Sequence, residues 1–167
     1  MAAMQILYNE PMKNHTSFKV GGPADIFIEP DDRAELVKAI KDLREQGVSY
    51  YIIGNGSNLL VSDKGLRGAV VKIGEKFGCV SINNDIITAE SGVLLSTLSK
   101  MAAREGLTGM EFASGIPGSL GGAVTMNAGA YGGEMKDIVE WVEVLDQDLN
   151  IKRLKIDEMK FMYRKSI

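Results

Sequence analysis

Two glycine-rich segments hold the residues whose types and spacing best suit ligand chemistry. Gly54-Asn55-Gly56-Ser57-Asn58 comes directly after the apolar run Tyr50–Ile53, the position at which many phosphate-binding turns leave a strand. Glycines there let successive backbone N–H groups point into one concavity, and Ser57, Asn55 and Asn58 add side-chain hydrogen bonds. An anionic diphosphate would be held by dipoles rather than by a full positive charge. The segment departs from a Rossmann fingerprint, because the third glycine of G-x-G-x-x-G would fall at Leu59 and no helical pattern follows. It also lacks the lysine and hydroxyl pair of a Walker loop. An ordinary tight turn between strands is the competing reading, since Asn-Gly is a common turn dipeptide.

The second segment runs from Ser114 to Gly132. Ser114, Gly115, Ile116, Pro117 and Gly118 open it with a turn, and Gly121, Gly122 and Ala123 leave room for a flat ligand. Ile116 and Val124 are placed to press against a ring system. Nine of the 19 glycines lie between Gly106 and Gly133, interleaved with apolar residues rather than with the serines of a flexible linker. A glycine-rich loop or helix-packing segment is the competing reading. Against it stands the conformational entropy that a long ordered glycine run loses.

The elements that must position these segments alternate along the first third of the chain. Ala24–Glu29 reads as a strand ended by Pro30. Asp32 with Glu35 three residues on resembles an acidic capping box, Leu36, Val37, Ile40 and Leu43 fall at helical spacing, and Gly47 sits at a C-terminal cap. Tyr50–Ile53 and Ala69–Ile73 complete a β-α-β-β unit. The pattern changes around Gly74–Gly78, which divides the chain into lobes 1–75 and 76–167. In the second lobe Val80, Ile82, Ile86 and Ile87 flank an Asn83-Asn84-Asp85 turn, as in a hairpin. Leu94, Leu95, Leu98, Met101 and Ala102 mark a helix closed by Gly106. Val139–Val144 and Ile151–Leu154 read as strands around an Asp146–Asn150 turn, and Asp157 as the cap of a last helical turn.

Composition sets bounds on function. The 167 residues are 45% hydrophobic and 25% charged, which suits a packed globular chain. A net charge of -3 gives no basic footprint for nucleic acid. One cysteine, Cys79, and one histidine, His15, are too few for a zinc site or a Cys-His nucleophile pair, so no metal is expected and His15 reads as structural or surface. Met1–Tyr8 lacks the basic start and apolar run of a leader, and no stretch nears the ~20 apolar residues of a membrane span. The expectation is a cytoplasmic protein.

Four motifs, in order, extend this reading: His15-Thr16-Ser17-Phe18-Lys19-Val20-Gly21-Gly22-Pro23-Ala24, the Gly54–Asn58 loop, the Ser114–Gly132 segment, and Tyr163-Arg164-Lys165-Ser166. Together they resemble the UDP-N-acetylenolpyruvoylglucosamine reductase family, also called UDP-N-acetylmuramate dehydrogenase, from about Met12 to the last residue. The resemblance implies an α+β, two-lobed FAD-binding fold of the vanillyl-alcohol-oxidase (PCMH) type, with non-covalent FAD and NADPH as co-substrate. It implies that Gly54, Asn55, Gly56, Ser57 and Asn58 hold the FAD pyrophosphate and that Ser114–Ala123 lines the rest of the flavin site. It implies reduction of UDP-N-acetylglucosamine enolpyruvate in peptidoglycan synthesis, with Arg164 at the catalytic arginine position and Tyr131 and Tyr163 near the substrate. A guanidinium suits an electron-rich enolpyruvyl intermediate because it binds a carboxylate through two hydrogen bonds.

The family's serine proton donor, glutamate acid and third, substrate-binding domain all lie downstream of the Tyr-Arg motif. The 167 residues are therefore expected to be the FAD-binding portion and to fall short of turnover. Two alternatives stay open: a non-catalytic nucleotide-binding module, and a flavin oxidase of the same fold. Many such oxidases attach FAD through a histidine or cysteine, and neither His15 nor Cys79 lies in a glycine motif.

Overall fold

A computed structural model describes residues 4–167; Met1, Ala2 and Ala3, part of the N-terminal stretch read above as unlike a leader, lie outside the described residues. The chain divides into two compact units. The first runs to Val80 and takes back Ala89–Val93, and the second comprises Ser81–Thr88 and Leu94–Ile167. The change of pattern at Gly74–Gly78 thus precedes the division by a few residues.

The first unit is built on a four-stranded sheet. β1 (Gln5–Pro11), β2 (Pro23–Glu29), β3 (Tyr50–Ile53) and β4 (Leu66–Lys72) lie in the order β1-β2-β4-β3. β1 runs antiparallel to β2, whereas β2 and β3 both run parallel to β4. Side-chain alternation separates two cores. Phe27 and Val70 join Met12, Ala24 and Val61 on one side of the sheet. Ile28, Ala69 and Val71 pack with Ala39 and Leu43 of α1 (Arg33–Glu45) on the other.

The helix ends follow the sequence signals. The Asp32 carboxylate accepts from Glu35 N–H at 2.9 Å, while the Glu35 carboxylate reaches one residue further back than a capping box requires, to Asp31 N–H at 2.8 Å. At the other end Gly47 (φ +65) donates to Arg44 O and Val48 donates to Leu43 O, the paired bonds of a Schellman cap. Strand β4 starts three residues earlier than the apolar run suggests and stops at Lys72 rather than Ile73.

β5 (Val80–Asn83) and β6 (Ile86–Ala89), whose residues Ser81–Thr88 belong to the second unit, form a hairpin whose turn residue Asn84 takes φ +55. α2 (Leu95–Arg104) ends on Gly106 with the same cap as α1, through Leu107 N–H to Ala102 O. Leu95, Phe112, Ala113, Val124, Met135 and Leu154 form one buried cluster. One element unread in the sequence appears here, and two expectations need correction. A short helix, α3 (Leu120–Thr125), forms inside the glycine-rich segment, because its Leu120, Ala123 and Val124 face this core. Val124 is therefore a core residue, not a wall for a ring. The last helical turn, Ile156–Met159, is capped from Lys155, whose N–H donates to Glu158, and not by Asp157. Strands β7 (Gly129–Ala130) and β8 (Gly133–Glu134) make a small hairpin, and β9 (Trp141–Leu145) pairs with β10 (Ile151–Lys155).

Candidate functional site

In the first unit the Gly54–Asn58 loop leaves β3 and meets the segment that follows β1. Gly56 is buried with φ +66, and a Cβ built on it would lie 1.9 Å from His15 O. Its carbonyl accepts from Ser17 N–H at 3.2 Å. Both the conformation and the contact demand glycine at this position. Asn55 lines an open cavity of about 340 Å³ together with Asn14, His15, Thr16, Ser17, Lys19 and Lys72, a size within the range of small-molecule pockets. Gly54 and Ser57 are half-buried and Asn58 is exposed.

His15 is anchored at the edge of this cavity. Its Nε2 lies 3.0 Å from Glu10 Oε1, and its ring stacks on the buried Phe27 with centroids 4.0 Å apart. Hydrogen bonds from Asn14 and His15 hold the Glu10 carboxyl below its ordinary range, against the opposing effect of burial. The structural role expected of His15 is what these contacts describe.

In the second unit, Ser114, Gly115 and Pro117 are exposed, and Ile116, Gly118 and Gly121 are half-buried. Gly122 is exposed on α3, whereas Ala123 points into the core. Two of these glycines test whether a flat ligand fits. A Cβ at Gly115 would meet nothing within 4 Å, and one at Gly122 only Ser119 Oγ at 3.8 Å; neither glycine has a positive φ. Neither the backbone nor a neighbouring atom of the described chain accounts for glycine at these two positions. Both positions leave the backbone open to close approach by a flat ligand, and in this respect the segment suits a flavin.

Tyr131 and Arg164 occupy the tips of two turns. Tyr131 (φ +52) and Gly132 (φ +89) connect β7 to β8, and Tyr131 is 99% exposed. Two positive φ values in a two-residue hairpin loop define a type I′ turn, which favours Asn or Gly over an aromatic residue. Tyr163 and Arg164 form the tip of a second tight turn, closed by reciprocal bonds between Met162 and Lys165. Arg164 also has positive φ, +55, and its Nη2 donates to Gly129 O at 3.3 Å, so the two turns are joined. Its guanidinium carbon lies 5.5 Å from the Tyr163 ring centroid.

Sequence reasoning missed the residue that organises this region. Asn127, 2% exposed with φ +40, takes the left-handed position after α3. Its Nδ2 donates to Glu134 Oε2 at 2.7 Å and to Met162 O at 3.1 Å, while its Oδ1 accepts from Lys136 N–H at 3.0 Å. Hydrogen bonds from Lys136 and Asn127, aided by the nearby Arg164 charge, hold the Glu134 carboxyl below its ordinary range. The Glu134 partner in turn raises Lys136. An asparagine just past a short helix was the available signal. Among the described residues no group of His, Cys, Asp or Glu is arranged to hold a metal ion, and no helix is long and apolar enough to cross a membrane.

The four-stranded sheet and helix of the first unit and the short helices and hairpins of the second, each with a glycine-rich segment, make an α+β fold, and comparison with known proteins assigns it to the FAD-binding class. The chain belongs to the FAD binding domain family, which matches residues 24–155. Among curated proteins it is 54% identical over 162 residues to the UDP-N-acetylenolpyruvoylglucosamine reductase of Alkaliphilus oremlandii, a match covering 97% of this chain and 53% of that protein. Among solved structures, UDP-N-acetylenolpyruvylglucosamine reductase from Thermus caldophilus superposes with a TM-score of 0.83 at 39% identity, covering 98% of this chain and 57% of the other. A solvent-stable cholesterol oxidase shares the fold alone, with a TM-score of 0.70 at 15% identity over 91% of this chain and 33% of the other. The chain spans about half the length of the curated relatives it matches.

Proposed function

We propose that this chain is the FAD-binding portion of an NADPH-dependent reductase that converts UDP-N-acetylglucosamine enolpyruvate to UDP-N-acetylmuramate in the cytoplasm. The observation that carries the flavin reading is the pair Gly115 and Gly122, glycines that nothing in the described chain requires. The 54% identity to a named reductase supports the particular reaction. FAD, when bound, would supply hydride-transfer chemistry between NADPH and the acceptor. The chain's own part is to bind and to orient. Gly54–Asn58 holds the FAD diphosphate through backbone dipoles, and Ser114–Gly122 lies against the rings, with Ala123 supporting that wall from the core side. Arg164, tied to Gly129 O, offers its remaining guanidinium N–H groups to a substrate carboxylate. Tyr131 and Tyr163 flank it as exposed aromatic surface for substrate. Each of the lobes 1–75 and 76–167 carries one of these two glycine segments.

Titration of the purified chain with FAD, followed by flavin fluorescence, tests the cofactor. Saturable binding released by denaturation is expected, and no binding would refute it. Turnover is a separate matter. The 167 residues alone should bind FAD without NADPH-dependent loss of the enolpyruvyl substrate, and steady turnover by them would overturn the assignment of the remaining chemistry to residues outside this chain.

A further inference from the structure

The cavity beside the first glycine loop is walled by Asn55 and, from before β2, by Asn14, His15, Thr16, Ser17 and Lys19. This second wall is held in an unusual shape. Lys19 takes φ +56, a left-handed conformation that is strained for a lysine and that glycine would adopt freely. Thr16, 2% exposed, fixes the turn: its Oγ1 donates to Val20 O at 3.0 Å, and its carbonyl accepts from Lys19 N–H at 3.2 Å. The wall is locked to the glycine loop by Ser17 N–H to Gly56 O and by the close seat of Gly56 on His15 O. Glu10 and Phe27 anchor the His15 ring behind it.

Two cations border the cavity. Lys72 is 24% exposed and paired with Glu29 at 3.3 Å, so its charge is already offset. Lys19 is exposed, and no carboxylate pairs with it among the described residues. A strained backbone that displays an unpaired cation at the edge of a polar cavity has no structural use on its own side.

We propose that Asn14–Lys19 is the second wall of the phosphate site and that Lys19 supplies the full positive charge for a dinucleotide diphosphate, that of FAD. This rests on the reading of the chain as an FAD-binding portion, and it amends the expectation that dipoles alone hold the diphosphate.

The test is FAD titration of the purified chain at about 50 and about 200 mM salt, with the melting temperature of the FAD-free chain measured in parallel. Lys19→Ala should weaken FAD binding about tenfold at low salt and flatten its salt dependence, as loss of an exposed charge-assisted contact does. Lys19→Gly should lose the same affinity while raising the FAD-free melting temperature, because it relieves the φ strain. That opposite movement of affinity and stability is one that a purely structural lysine would not produce. Unchanged FAD affinity in both variants, with the wild type binding, overturns the inference and leaves the FAD reading intact. A loss confined to NADPH binding, the other diphosphate at hand, overturns it by assigning the cation elsewhere. If the wild type binds no FAD at any salt concentration, both readings fall together.

Discussion

The side-chain amide of Asn127 donates to the carbonyl oxygen of Met162 at 3.1 Å, joining positions 35 residues apart. Through that bond, and through the bond from Arg164 Nη2 to Gly129 O, the turn bearing Arg164 is fixed against the hairpin bearing Tyr131. Asn127 is nearly fully buried and both ends of its amide are used. Replacing it by alanine leaves the Met162 carbonyl and the Lys136 N–H without this partner. Asn127→Ala should therefore destabilise the chain by about 2–3 kcal/mol, within the range for breaking a buried hydrogen-bond network, as read by urea denaturation.

Two glycine-to-alanine substitutions should separate structural from ligand-facing glycines. At Gly56 the new Cβ would lie 1.9 Å from His15 O and the backbone has φ +66, so Gly56→Ala should cost about 2–4 kcal/mol of stability and abolish FAD binding with it. At Gly115 nothing stands within 4 Å, and Gly115→Ala should leave thermal stability unchanged or raised by up to about 1 kcal/mol. Its FAD affinity should nonetheless fall by about tenfold or more, the equivalent of one lost close contact. Equal FAD binding by Gly115→Ala and wild type would count against a flavin at this surface.

What was legible in the sequence was local. Asp32, Glu35 and Gly47 delimit α1 because capping depends on residues within one turn of the helix end. The Gly54–Asn58 loop is legible for the same reason. Strand β1 was not, since Asn9 (φ +54) and Pro11 interrupt its pattern and only Leu7, opposite Phe27, reaches the core. Helix α3 was hidden because Gly121 and Gly122 lower helix propensity, and the buried cluster around Val124 overrides them. The role of Asn127 depends on Met162, a pairing that only the fold creates.

Acid should weaken the second unit through Glu134. Its carboxyl is held below the ordinary range by Lys136 first, then by Asn127. A group with a depressed folded-state pKa adds stability above its unfolded pKa, and that stability is lost as pH falls through the folded value. The melting temperature should thus hold down to the ordinary glutamate range and drop below it. In Glu134→Gln this part of the acid dependence should be reduced. The Glu10 carboxyl, lowered mainly by Asn14, adds a dependence of the same sign in the first unit.

Tyr131 offers the clearest case of stability set against binding. It sits 99% exposed at a turn position with φ +52, where its ring makes little use of the protein's own core. Asparagine tolerates that conformation far better, so Tyr131→Asn should stabilise the chain by about 0.5–1 kcal/mol, measured by thermal or urea unfolding. FAD affinity should not change. In a chain extended to the length of the relatives, the same substitution should raise KM for the enolpyruvyl substrate about fivefold or more while kcat falls less, because the ring lends binding surface rather than a reacting group. A stabilised variant with unaltered KM would show that Tyr131 does not meet the substrate and would leave the strain at this turn unexplained.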